Sequence, residues 1–187
     1  MPELTADDLL EFTDGRLDDG EDVLAAAQSA ARLYCGWHVC PVVTAVVVQV
    51  DDVAANLLAL PTLRLVELVS VTELGDPVDL AGLHWAIPTD LKPRRAVVSK
   101  ARGCWPATYG AVTVTMTHGF TEAEAADWRR AVLRLADMMD RESSSSRDPG
   151  MVRKKVDDVE YQWAEALIST DERLSALFAP YRILPSP

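Results

Sequence analysis

The stretch GAVTVTMTHGFTEAEAADWRRAVLRLADMM, Gly110 to Met139, changes its hydrophobic period across the three residues His118-Gly119-Phe120. Before the break, Val112, Val114 and Met116 alternate with Thr113, Thr115 and Thr117, the period of a strand with one buried face. After it, Trp128, Ala131, Val132, Leu135, Met138 and Met139 recur at helical spacing, with Arg130, Arg134, Asp137 and Arg141 largely opposite. A chain with this junction is neither all-α nor all-β, because a strand hands over directly to an amphipathic helix. Gly119 permits the sharp turn, and Phe120 is placed to staple against the first helical turn. Thr121 followed by Glu124 reads as a capping box, which sets the expected helix at Thr121 to Arg141.

Upstream, Thr5 with Asp8 reads as another capping box, opening a short helix through Leu9, Leu10 and Phe12, and Asp18 with Glu21 repeats the signal. Val23, Leu24, Ala27, Ala30, Ala31 and Tyr34 make an alanine-rich helical stripe, which Gly36 is placed to end in a left-handed conformation. Beyond Pro41 the vocabulary turns to Val, Thr and Leu. VVTAVVVQV and LPTLRLVELVSVTELG read as strands, LHWAI and RAVV as shorter ones, and Gly75-Asp76-Pro77 as a turn. The apolar phase slips near Val66, which calls for a bulge or two consecutive strands. Hairpin-length connections favour antiparallel pairing throughout. After the polar run ESSSSRDPG come helical segments at about Val159 to Ile168 and Asp171 to Phe178, then the tail APYRILPSP. Its three prolines exclude regular helix there.

With 187 residues and 49% apolar composition the chain can bury a core. The N-terminus lacks a cationic segment followed by an apolar run, and the longest apolar stretch, near Val42 to Val50, is too short to span a bilayer. Neither secretion nor membrane insertion is expected. Three cysteines, Cys35, Cys40 and Cys104, argue for free thiols in a reducing compartment. The net charge of −11 opposes adhesion to DNA or anionic lipid. The charge is also uneven: nine acids before residue 23 face only Arg16, while Lys92, Arg94, Arg95, Lys100 and Arg102 lie in a stretch without an acid. Acidic and basic segments of neighbouring copies are therefore expected to meet head to tail.

Candidate chemistry is sparse. Cys35, His38 and Cys40 in CGWHVC, with Cys104 and His118, would be the material of a zinc site or a thiol hydrolase. The spacing C-x-x-H-x-C is not a structural-zinc pattern, and no second pair stands at knuckle spacing. Cys35 ends a helix, where the dipole raises a thiol pKa, and nothing marks Cys104 as activated. No catalytic, cofactor or metal residue is therefore assigned. A small cytosolic Cys/His hydrolase or metal-binding protein is the alternative, and it requires these side chains to converge in one concave pocket. Among the tryptophans, Trp37, Trp85 and Trp128 read as core, while Trp105, before Pro106, and Trp163 read as interface anchors.

YCGWHVCP after an N-terminal helix, LPTLRLVELVSVTELG in the middle and VTVTMTHGF entering a helix together resemble the head-to-tail adaptor (connector) proteins of siphophages infecting actinobacteria. The resemblance runs from about Thr5 to Asp140, with an echo in LFAPYRI, and rests on the order and distances of these motifs. It implies a virion neck protein, assembled in the host cytoplasm, that forms a twelve-membered ring beneath the portal. It also implies contacts with the portal and with the next neck or tail-completion protein, and a lumen through which DNA passes without specific binding. The family supplies no catalytic residue and no cofactor.

The expected architecture is α+β: a helical bundle, residues 1–41 and 119–146, interrupted by an antiparallel β insertion, residues 42–118, with an extended C-terminal arm, residues 147–187, that carries short helices and docks on the portal or a neighbouring copy. The expected subunit or portal contacts are Lys92, Arg94, Arg95, Trp105, Trp163, Leu177, Phe178, Tyr181 and Arg182.

Overall fold

A computed structural model describes residues 4–50, 56–87, 95–145 and 167–183. Mixed α+β structure is present as expected, with helices at both ends and antiparallel strands between them. The chain divides into two compact units: a helical one, residues 1–36 and 122–182, and a sheet one, residues 37–121 and 183–187.

In the helical unit, α1 (Ala6–Phe12) begins at Thr5, whose hydroxyl accepts from the Asp8 backbone N–H while the Asp8 carboxylate accepts from the Thr5 N–H at 2.8 Å. Both halves of the expected capping box therefore form. Replacing Thr5 with alanine should lower stability by about 1 kcal/mol, a melting temperature fall of about 2–4 °C by calorimetry. Helix α2 (Glu21–Cys35) ends where expected, with Gly36 left-handed at φ 77°. Its start departs from expectation: Gly20 is the N-cap and makes no side-chain cap bond, so Asp18 and Glu21 form no capping box. Leu24, Ala27, Ala30, Ala31 and Cys35 are buried, and the buried Gln28 amide donates to the Leu4 carbonyl at 3.2 Å.

Helix α3 (Ala126–Ser145) starts later than the Thr121–Glu124 signal places it, after turns at residues 122–125. It packs on α1, α2 and α4 (Glu172–Phe178). Trp128, Ala131, Val132, Leu135, Ala136 and Met139 are buried, and so is Leu133 on another side, because α3 is covered from several directions. Its polar face is laced by ion pairs: Arg16 with Asp137 and Asp140, Arg134 with Asp171 at 3.1 Å, and Arg129 with Asp8 at 3.8 Å. Each such pair is worth only about 0–1 kcal/mol, so the apolar stripe holds the unit and the pairs set its register.

In the sheet unit, β1 (Val43–Val50), β7 (Val112–His118), β3 (Leu65–Glu73) and β4 (Asp76–Pro77) form one antiparallel sheet in the order β1-β7-β3-β4. A second sheet runs β2-β6-β5, from β2 (Leu57–Ala59), β6 (Val97–Lys100) and β5 (Leu83–Ala86). One core joins them, with Leu58, Leu60 and Val98 from the second sheet's segments meeting Leu65, Val71, Val114 and Met116 of the first. The phase slip near Val66 is real: β3 shifts register against β7 between Leu65 and Glu67 and again between Leu68 and Ser70. Bulged out of the ladder, Val66 and Val69 are 46% and 42% exposed. The β3–β4 hairpin turns on Leu74-Gly75, φ 53° and 93°, one residue before the expected Gly75-Asp76-Pro77. A two-residue hairpin loop favours positive φ at both positions, and Asp76 and Pro77 are thereby freed to pair.

At the junction itself, His118 pairs with Val43 and Leu65, the Gly119 N–H donates to the Arg64 carbonyl at 2.9 Å and the Phe120 N–H to the Val39 carbonyl at 2.8 Å. The ring of Phe120 meets Trp37 edge-on at 5.8 Å.

Candidate interaction surfaces

Cys35 belongs to the helical unit and Cys104 to the sheet unit, where His38 and His118 come together. Cys35 is fully buried in the helical unit, and burial pushes its thiol pKa up to about 12, so it is protonated at neutral pH and no nucleophile. Desolvation, rather than the helix dipole weighed from sequence, is the leading cause. In the sheet unit Cys104 is exposed and its thiol donates to the Asn56 side-chain oxygen at 3.0 Å. His38 and His118 meet edge to face at 6.0 Å, and Trp37 lies 6.1 Å from His118. Nε2 of His38 contacts the Pro41 carbonyl at 2.6 Å. Among the described residues no three His, Cys, Asp or Glu side chains are grouped as a metal ion requires. Two grooves of the helical unit, about 540 and 410 Å³, have no cysteine or histidine in their walls.

His118 is 5% exposed and its Nδ1 has no hydrogen-bond partner. Burial, with the neighbouring His38 imidazole adding to it, lowers its pKa from 6.5 to about 4. The folded chain therefore takes up this proton later than the unfolded chain does as pH falls. Stability is full above pH 6.5 and is lost progressively between pH 6.5 and 4. Going from pH 7.5 to 5.0, this group alone should remove roughly 2 kcal/mol. Urea titrations of the wild type and of His118→Gln at the two pH values measure it: the variant should lack that part of the slope.

The expected contact residues are distributed as follows. Lys92, Arg94 and Trp163 lie outside the described residues, and Arg95 is half-buried. Lys100, from the same basic stretch, is committed within its own chain: its ammonium donates to both Glu73 carboxylate oxygens, at 2.6 and 2.5 Å, and lies 4.4 Å from the Trp105 ring centroid. Trp105 is 3% exposed, its indole N–H donating to the Val98 carbonyl at 3.1 Å. It belongs to the sheet unit's own core, so a tryptophan next to proline in a loop is here covered within its own chain. Trp85, read as core, is 44% exposed because it sits on β5, the last strand of its sheet. Trp37 and Trp128 are buried as read.

At the C-terminal end, Asp171 caps α4 by accepting from the Arg173 and Leu174 N–H groups, and these bonds, with Arg134 nearby, hold its carboxyl below the usual range. Phe178 is fully buried with its ring 6.1 Å from Tyr34, and the Arg182 guanidinium lies 4.5 Å from the same Tyr34 ring. Tyr181 is buried and its hydroxyl donates to the Glu124 carbonyl at 3.4 Å, while Leu177 is half-buried. Phe178 and Tyr181 thus anchor the segment to its own helical unit, leaving Leu177 and Arg182 as the more accessible members of the expected set.

Among the described residues most of the exposed large apolar side chains belong to the sheet unit. Strand β1 is an edge strand, and along its outer side no described strand pairs with it. Val47, at its middle, is 65% exposed. Across the sheet, Val47, Thr115 and Ser70 stand in one row and Gln49, Thr113, Thr72 and Pro77 in another. With Val66 and Val69 bulging out, this face carries Glu67 as its charged residue. Among the described residues no helix is long and apolar enough to cross a membrane.

No family model matches the chain, and no curated protein matches it. Solved structures do. A chain in the neck of an empty GTA particle, computed with C6 symmetry, superposes with a TM-score of 0.62 at 15% identity, covering 98% of this chain and 91% of that one. A chain in the neck of a native GTA particle, computed with C12 symmetry, gives a TM-score of 0.55 at 17% identity, covering 100% and 95%. At these identities the likeness is one of fold, and it extends over nearly the whole of both chains.

Proposed function

We propose that this chain is a structural neck protein of a phage-like particle: a head-to-tail adaptor whose copies form a ring under the portal, join capsid to tail and continue the DNA channel. The observation that carries this reading is the fold shared with neck chains across 98% of this chain and 91% of its neighbour. The C6 and C12 symmetries of those necks support a ring of copies, twelve being the number the adaptor resemblance implies. The role is mechanical, not catalytic. Its partners are further copies of itself, the portal and the next neck or tail-completion protein, and its place is the virion neck after assembly in the host cytoplasm. A net charge of −11 suits a wall past which DNA moves without adhering.

The test is to delete the chain from the particle-producing genome that encodes it and to image the products. DNA-filled heads without tails are the expected result, restored by supplying the chain from a plasmid. Normally tailed, infectious particles in its absence would overturn the proposal.

A further inference from the structure

We infer that, in the ring, the β1 edge of one copy pairs with the β5 edge of the next, extending a sheet from subunit to subunit; the inference rests on the neck reading above. Strand β1 presents Val43–Val50, VTAVVVQV, an eight-residue edge with neither charge nor proline. Protein edges are ordinarily blunted by charge, proline or shortness, and the opposite edge of the same sheet, β4, is blunted in all three ways, being two residues long, Asp76 and Pro77. The β1 edge has only a bulge near its start, where Ala45 takes φ 53°. An unblunted edge accepts an extended backbone, and Val47, 65% exposed, offers a side chain to the incoming strand.

The occupant follows from charge and from closure. The sheet unit has seven acidic and six basic residues, whereas the helical unit has the other twenty-two acidic and twelve basic. Copies repel through their helical units and approach at least electrostatic cost through their sheets. Pairing β1 with another β1 would end at a dimer. A ring needs two different surfaces meeting head to tail. Strand β5 supplies the second: Leu83-His84-Trp85-Ala86 is an outer strand without a formal charge, and Trp85, 44% exposed, provides the large apolar side chain that interfaces favour. The other edge of that sheet, β2, is a residue shorter, and Asn56 before it already accepts the Cys104 thiol.

The experiment uses full-length chains assembled into particles. In a Cys104→Ser background, where Cys35 and Cys40 are buried, chains bearing Val47→Cys and chains bearing His84→Cys are co-expressed and treated with a short bis-maleimide. Mixed particles should yield a cross-linked dimer at least ten-fold above particles made from either variant alone. Val47→Lys should reduce incorporation at least ten-fold, and Val47→Lys with His84→Glu in one chain should restore it. Cross-linking in Val47→Cys particles alone, or none in mixed particles that contain the chain, would overturn the edge pairing and leave the neck reading standing. Wild-type chain absent from purified particles would overturn both.

Discussion

Replacing Gly119 with alanine should destabilise the protein by about 3 kcal/mol or more, the sum of a φ that side chains rarely adopt and a clash with unyielding backbone. Gly119 has φ 111°, and a Cβ there would lie 2.7 Å from the Pro41 carbonyl oxygen and 3.2 Å from the Val42 Cα. Neither atom is the end of a flexible side chain. Both belong to the segment leading into β1, and the Gly119 N–H is itself held by the Arg64 carbonyl, so relief of the clash must break pairing on one side of the junction. The expected fall in melting temperature is about 6–12 °C. Gly103→Ala is the control: φ is also positive, 88°, but nothing stands within 4 Å of the added Cβ. Its cost should stay near 1 kcal/mol, the backbone term alone. Equal effects at the two sites would show that the close approach at Pro41 relaxes freely.

Phe178→Ala should cost about 3–5 kcal/mol, the usual range for emptying a fully buried aromatic site. Phe178 and Leu174, both at 0% exposure, are the apolar anchors of α4, a helix of seven residues that is too short to persist without packing. Hydrogen exchange should therefore quicken through residues 167–182 before the rest of the helical unit responds. Leu177→Ala, at a half-buried neighbour, should cost about 1 kcal/mol. The pair separates two roles for this segment. A residue that serves only a partner leaves the isolated chain's stability unchanged when removed, whereas one that seals its own helical unit lowers it. Unchanged stability on removing Phe178 would mean that the segment reserves its aromatic ring for a partner.

Much of the architecture could be read along the chain wherever local physics decides it. The Thr5–Asp8 box, the left-handed Gly36, the alternation of Val112, Val114 and Met116, and the sharp turn at Gly119 each depend on residues a few positions apart, and each appears as read. Local rules failed where several compete. Asp18 and Glu21 carry a capping pattern, yet Gly20 sits at the cap, and a Cβ at that position would press on Leu9 at 2.7 Å. The close packing of α1 decides there. Strand β2 carries no signal in the sequence because three residues make no period, and the hairpin turn lies one residue earlier because pairing of Thr72 with Pro77 outweighs the proline's preference for a turn.

The candidate surfaces were less legible, for a related reason. Exposure is a property of where a strand lies in a sheet, and sequence order does not contain sheet order. Trp85 stands on β5, an outer strand, and is 44% exposed, whereas the loop residue Trp105 donates its indole N–H to the Val98 carbonyl and is buried; neither outcome is written in the residues beside them. Lys100 belongs to a basic run, yet Glu73, twenty-seven residues away, occupies it. From sequence alone came the α+β class, the junction and the absence of a recognisable catalytic pattern, since period, turn chemistry and residue type are written locally. Tertiary structure alone decided which strands became edges, which aromatics were covered and which charges were already paired, because those depend on contacts between residues that the chain keeps far apart.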